Sequence, residues 1–203
     1  MVNFVYLASQ SPRRRQLLEQ LGVLHELLLP DPEEDVEALE AVKTNEAPAT
    51  YVKRVTHLKL DAAMARLQRR GLAAAPILCS DTSVALGRVI YGKPEDEKDA
   101  RRMLSELAGS THRVLTAVAV QGSGKADRRF EALSTSHVSF EVMTDAQIRA
   151  YVAGGEPMGK AGAYAVQGRA ALHITRINGS DSGIMGLPLR ETALLLASAG
   201  IKI

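Results

Sequence analysis

Two long strand-like runs stand back to back in the middle of this chain, residues 113–121 and 128–142, joined through Gly122-Ser123-Gly124. Strands joined by so short a connection pair antiparallel, because a parallel pair needs a crossover of a dozen residues or more. The first third reads differently. An apolar run over residues 3–8 leads to Ser11-Pro12, an N-cap followed by a proline at the first helical position. Leu17, Leu18 and Leu21 then share one helical face, Gly22 is placed to end the helix, and residues 25–29 read as a second strand. Alternating elements early and consecutive strands in the centre predict an α/β fold with a mixed sheet rather than a doubly wound nucleotide fold. The length, 203 residues, suits one domain over 1–203 or two small lobes around one site.

Residues 30–48 are acidic and punctuated by proline (Asp31, Glu33, Glu34, Asp35, Glu37, Glu40, Glu46), which predicts a mobile loop. A long amphipathic helix follows, with Val52, Val55, Leu58 and Ala62 spaced at three and four. Residues 77–80 form a short apolar strand ending at Asp81, and residues 83–91 a hairpin turning at Gly87-Arg88. Asp96 or Asp99 opens a helix carrying Met103, Leu104 and Leu107, which Gly109 stops. Thr144 with Gln147 is a capping-box start, residues 170–177 read as a strand, and residues 188–199 as a closing helix.

Composition removes several classes of function. Lys plus Arg number 25 against 23 Asp plus Glu, a balance that does not suit a general polyanion binder. Aromatics are 4% and Trp is absent, too few for a base-stacking platform, so no nucleic-acid partner is expected. A single cysteine, Cys79, rules out an intrachain disulfide framework and a Cys-rich zinc site. The first apolar run precedes the basic cluster Arg13-Arg14-Arg15, the reverse of a secretory signal, and no apolar run approaches the ~20 residues of a membrane span. A cytoplasmic protein is the expectation.

Several positions could carry chemistry. Ser9-Gln10-Ser11-Pro12-Arg13-Arg14 lies where a strand passes into a helix, and unpaired N–H groups beside two guanidiniums suit phosphate. Read alone, the stretch is equally a solvated basic first turn. Asp81, at the carboxyl end of an apolar strand and before Thr82, can face a crevice, ligate a divalent metal or take a proton from water; a turn-capping Asp is the plainer alternative. Lys93, within Gly92-Lys93-Pro94, is a point charge for phosphate oxygens or an ordinary surface turn. Lys59 flanks the apolar face of the long helix, as a snorkelling lysine also would. In the small-residue stretch from Gly159-Lys160 through Gly168, backbone can approach a ligand, and Gln167 offers a donor and an acceptor to a base edge. One of Glu33 or Glu34 could reach a metal from the acidic loop. The five histidines lack metal-ligand spacing, and no G-x-G-x-x-G, P-loop or G-x-S-x-G sequence occurs.

Taken in order, Leu7-Ala8-Ser9-Gln10-Ser11-Pro12-Arg13-Arg14, Ser80-Asp81-Thr82, Gly92-Lys93-Pro94, Lys160-Ala161-Gly162-Ala163-Tyr164 with Gln167-Gly168, and Gly186-Leu187-Pro188-Leu189 resemble the Maf family across essentially the whole chain. The resemblance implies the Maf/Ham1-like α/β architecture, two lobes with a central cleft, often paired as a homodimer. It implies a nucleoside triphosphate pyrophosphatase dependent on Mg²⁺ or Mn²⁺. Position by position, Asp81 matches the family's proton acceptor. Ser9, Arg14, Lys59 and Lys93 match its phosphate-binding positions. Glu34 matches the acidic residue near the metal, with Glu33 as the alternative and Asp81 as a second ligand. Arg13, Thr82 and Gln167 match the branch similar to dTTP/UTP pyrophosphatases, where the 7-methyl-GTP branch carries Trp, Gln and Glu. Lys160 falls in the matched small-residue motif, beside the substrate. Modified pyrimidine nucleotides are a further expected substrate class, and a nucleotide-binding regulator of septum formation without turnover is the alternative reading. The chain departs from the family at Leu60, at Val55-Thr56 and at Asp181-Ser182-Gly183, the last being a segment that can alter dimer contacts or the cleft wall.

Overall fold

In a computed structural model, residues 4–203 are described. Asn3, where the first strand was expected to begin, lies outside them. Seven strands among the described residues form one mixed sheet, as the alternation of elements predicted. β1 (Val5–Leu7) pairs in parallel with β2 (His25–Leu27) on one side and with β3 (Ile77–Leu86) on the other. β5 (Thr111–Gln121) runs antiparallel to β3, β6 (Arg129–Phe140) to β5, and β7 (Ile174–Asn178) to β6. The order across the sheet is β2-β1-β3-β5-β6-β7, with β4 (Val89–Tyr91) hairpinned onto β3.

β3 differs from its sequence reading, and the difference makes the site. The strand does not end at Asp81; it continues to Leu86, paired with β5 from Ile77 to Ala85. What ends is its pairing on the opposite edge. β1 reaches only to Leu78, and β4 takes up that edge from Val84 onward. Between them, over residues 79–83, neither β1 nor β4 pairs with that edge, a switch point of the kind that opens a crevice in α/β sheets. The polar run Ser80-Asp81-Thr82-Ser83 interrupts the apolar pattern there.

Residues alternate between the two faces of a strand, and the core clusters follow this alternation. Ile77 and Cys79 pack with Leu60 and Ala63 of α2 (Pro48–Arg69), whereas Leu78 packs with Leu17 and Leu18 of α1 (Pro12–Gln20) and Leu196 of α6 (Leu189–Ser198). Asp81 shares the α2 face and Thr82 the α1 face. The buried stripe of α2 runs through Val52, Val55, Thr56, Leu60 and Ala63, leaving Leu58 and Ala62 half-buried, a rotation from the face read in the sequence. α3 (Glu97–Leu107) is capped by Asp96, and α4 (Asp145–Ala153) opens with the expected Thr144–Gln147 box. The two pack with the far end of β3 and with Tyr164. Residues 170–173, the start of the strand expected over 170–177, belong instead to a 3-10 turn (Arg169–His173) before β7. Residues 181–184 form the short helix α5 (Asp181–Ile184), capped by Ser180.

Candidate active site

α1 starts at Ser11, whose Oγ accepts from the Arg14 backbone N–H at 3.5 Å, so the helix begins immediately after β1 and delivers Arg14 to the unpaired edge of β3. The guanidinium is held by three partners: the Gly186 carbonyl accepts from Nε at 2.9 Å, Ser9 Oγ from Nη1 at 3.3 Å and Thr82 Oγ1 from Nη2 at 3.4 Å. Ser80 Oγ donates to the same Gly186 carbonyl at 2.8 Å. Gly186 has φ +111°, a backbone conformation that a side chain would strain, and a Cβ there would lie in ordinary contact with Arg14 and Thr82. Thr82 is positioned in turn by Thr116, 2.9 Å away, whose hydroxyl donates to the Gly183 carbonyl at 2.7 Å. The departure at Asp181-Ser182-Gly183 is therefore connected to Arg14 through two threonines. Burial lowers the Arg14 pKa, and Asp81, Cys79 and Glu40 oppose that shift.

On the other face, Lys59 reaches up from the middle of α2. Its ammonium lies 2.6 Å from Asp81 Oδ1 and 2.7 Å from Glu40 Oε1. Lys93, on the turn after β4, lies 3.4 Å from Glu40 Oε2. The result is a continuous chain, Asp81–Lys59–Glu40–Lys93, beside the Arg14 cluster. Burial pushes the Glu40 pKa up, but Lys59 and Lys93 outweigh it and hold the carboxyl below its usual range. Glu40 ends the 3-10 turn Glu37–Glu40 inside the acidic segment.

Glu34, the acidic residue that the resemblance places near the metal, has no bond to this chain of groups and pairs with arginines instead. Both of its carboxylate oxygens are taken by Arg66 of α2, Arg69 adds a further bond of 2.6 Å, and the Asp31 N–H donates to it at 3.3 Å. Arg66 holds the carboxyl at about 2, the pKa of a structural ion pair. The carboxylate that meets Asp81 through a shared ammonium is Glu40. Seven acidic side chains occupy that segment, and no local spacing marks the sixth as special. Only the 3-10 turn and its anchors do so: Tyr51 Oη donates to the Glu40 carbonyl at 2.9 Å and Arg54 to that of Ala41 at 2.8 Å.

Lys160, Arg13 and Gln167 are not joined to this constellation by any hydrogen bond or ion pair among the described residues. Arg13 is exposed and bonds Gln16, Lys160 bonds the Met158 carbonyl, and Gln167 is exposed in a turn. The segment that carries Lys160 is nonetheless tied to the Lys93 turn, because the Gly162 N–H donates to the Gly92 carbonyl at 3.0 Å. Gly162 has φ +69° and lies so close to Val84 that a Cβ would stand 2.9 Å from it.

No group of three or more His, Cys, Asp or Glu side chains gathers as a metal cage among the described residues. Asp81 and Glu40 offer a pair of hard oxygen donors instead. Two carboxylates are the donor chemistry that a hard divalent cation takes together with substrate phosphates.

The sequence matches the Maf-like protein family over residues 4–199. This chain belongs to the Maf family. Maf relatives named dTTP/UTP pyrophosphatase cover it almost end to end. The one from Albidiferax ferrireducens is 66% identical over 203 residues, 100% of both chains. That from a Polaromonas species is 68% identical over 201 residues, 99% of this chain and 98% of its own. That from Cupriavidus metallidurans is 61% identical over 201 residues, 99% of each. In this Maf protein no helix among the described residues is long and apolar enough to cross a membrane.

Proposed function

We propose that this Maf protein is a nucleoside triphosphate pyrophosphatase that takes dTTP and UTP to the nucleoside monophosphate and pyrophosphate. The observation that carries the reading is that three cations from different elements border one opening: Arg14 bonds Thr82 and Lys59 bonds Asp81 at the unpaired edge of β3, and Lys93 joins Lys59 through Glu40. The names of the relatives support the substrate class. Water oxygen bonds to the α-phosphorus, the bond from that phosphorus to the bridging oxygen breaks, and pyrophosphate leaves with the electron pair. Asp81 accepts the proton of the attacking water, its carboxylate oriented by Lys59. Arg14, Lys59 and Lys93 carry the charge that grows on the phosphate oxygens, and fixed cations stabilise it most in the transition state. Ser9 and Thr82 keep the Arg14 fork in plane. A divalent cation held by Asp81, Glu40 and the substrate's phosphates would neutralise phosphate charge and acidify water.

Arg13, Thr82 and Gln167 select the pyrimidine on this reading, and Lys160 binds substrate from the segment that carries Gln167. Two lobes around the cleft, a homodimer, a cytoplasmic location and action on modified pyrimidine nucleotides belong to the same proposal. The decisive assay is metal-dependent release of pyrophosphate and monophosphate from a panel of nucleoside triphosphates. Turnover of dTTP and UTP is expected; binding without turnover would instead favour the septum regulator. Changing Arg13, Thr82 and Gln167 together to Trp, Gln and Glu is expected to move preference away from dTTP and UTP. An unchanged substrate profile would remove those three from specificity.

A further inference from the structure

The acidic segment is tied down by two kinds of cation. Its start is held by arginines, with Arg66 and Arg69 on Glu34 and Arg69 and Arg70 on Asp31. Its end is held by Arg54, which grips Glu46 with a two-pronged contact at 2.6 and 2.7 Å. Only its middle rests on lysines: Glu40 on Lys59 and Lys93, with Glu37 3.9 Å from Lys93. The distinction is physical. An arginine fork fixes a carboxylate in one geometry, whereas an ammonium is a compact point charge on a flexible stem that trades one anion for another readily. The two lysines that Glu40 neutralises are also the two that the proposed function assigns to phosphate.

We propose that Glu40 is an internal counter-anion occupying the phosphate seat. The turn Glu37–Glu40 is then a lid that an incoming polyphosphate displaces from Lys59 and Lys93 while both ends of the segment stay pinned. Glu40 thus sets the affinity for the phosphate chain, and its removal strengthens binding. This rests on the reading that phosphates bind at Lys59 and Lys93. Tyr51, which fixes the Glu40 backbone at 2.9 Å, sets how firmly the lid is seated.

The test is binding of inorganic pyrophosphate by calorimetry in chelator, with no divalent ion present, alongside dTTP turnover with metal. Glu40→Gln is expected to tighten pyrophosphate at least about fivefold, the scale of one charge-assisted contact no longer competed for. Tyr51→Phe, which removes no charge, is expected to tighten it in the same direction. Glu37→Gln is the control. It removes an equal charge from the same turn, but its side chain is 88% exposed against 25% for Glu40, so only a small change is expected. Equal gains from Glu37→Gln and Glu40→Gln would reduce the effect to general electrostatics and overturn the lid. No gain, or a loss, from Glu40→Gln while dTTP is still hydrolysed would overturn it as well, and would mark Glu40 as acting only through a metal ion. Should Glu40→Gln fail to fold, Glu40→Asp, which shortens the reach by one methylene, carries the same expectation. If no form binds pyrophosphate and dTTP is not turned over, the proposed function falls and the lid with it.

Discussion

Each functional side chain here is specified by what holds it. Asp81 and Thr82 are neighbours on one strand and point to opposite faces, yet both border the edge left unpaired between β1 and β4. Asp81→Asn keeps the shape and removes the base, so kcat for dTTP is expected to fall at least about 100-fold with little change in melting temperature. Near-normal turnover by the folded variant would withdraw the assignment. Cys79 is buried one turn of the pleat away on the same face, and burial pushes its thiol up to about 12. Its thiolate is therefore scarce at neutral pH, and native protein is expected to resist alkylation by iodoacetamide until it is unfolded. Glu34 makes the opposite point. As a structural partner of Arg66, Glu34→Gln is expected to lower stability by about 1–2 kcal/mol while leaving the metal requirement of turnover unchanged. A metal dependence shifted to higher concentration would return Glu34 to the site.

At the scale of elements, what the sequence made legible was local. Ser11-Pro12 before α1, Asp96 before α3 and the Thr144–Gln147 box carry their meaning in two to four residues, and the structure has all three. β3 was read too short because apolar periodicity stops at Asp81. Those residues are polar because they line the opening, and their strand conformation is imposed from the other side by β5. Glu40 was illegible for a different reason. Its role depends on a turn anchored by Tyr51 and Arg54 from α2, a contact between segments that no spacing inside the loop encodes. Gly162 joins these scales: as the donor to Gly92 it sets the distance between the Lys160 segment and the Lys93 turn. Gly162→Ala is expected to cost about 1–3 kcal/mol, from positive φ and from overlap with Val84, and to raise KM for dTTP more than it lowers kcat. Unchanged denaturant midpoints would show that the segment yields freely.

For the whole molecule, the acid limb of stability follows from groups whose pKa values folding lowers. Arginines hold Asp31, Glu34 and Glu46 at about 2, and burial holds His112 at about 4, with its Nε2 2.8 Å from Tyr164 Oη and its Nδ1 without a partner. The unfolded chain takes up these protons first, so each group stabilises the native state above its unfolded pKa and loses that contribution as the pH falls through the native value. Urea midpoints are expected to begin falling near pH 6.5, where unfolded His112 protonates, and to fall more steeply below about 4.5 as the carboxylates follow. His112→Gln is expected to abolish the upper part of that decline and leave the lower part. The two-sided edge of β3 has one further consequence. Five residues separate Leu78, the last to meet β1, from Val84, the first to meet β4, and β5 spans them all. That count is a ruler with odd and even ticks: inserting or deleting one residue inside it would send the carboxylate to the guanidinium's side of the sheet and the hydroxyl to the ammonium's, so this short span cannot change by a single step without trading the two faces of the site.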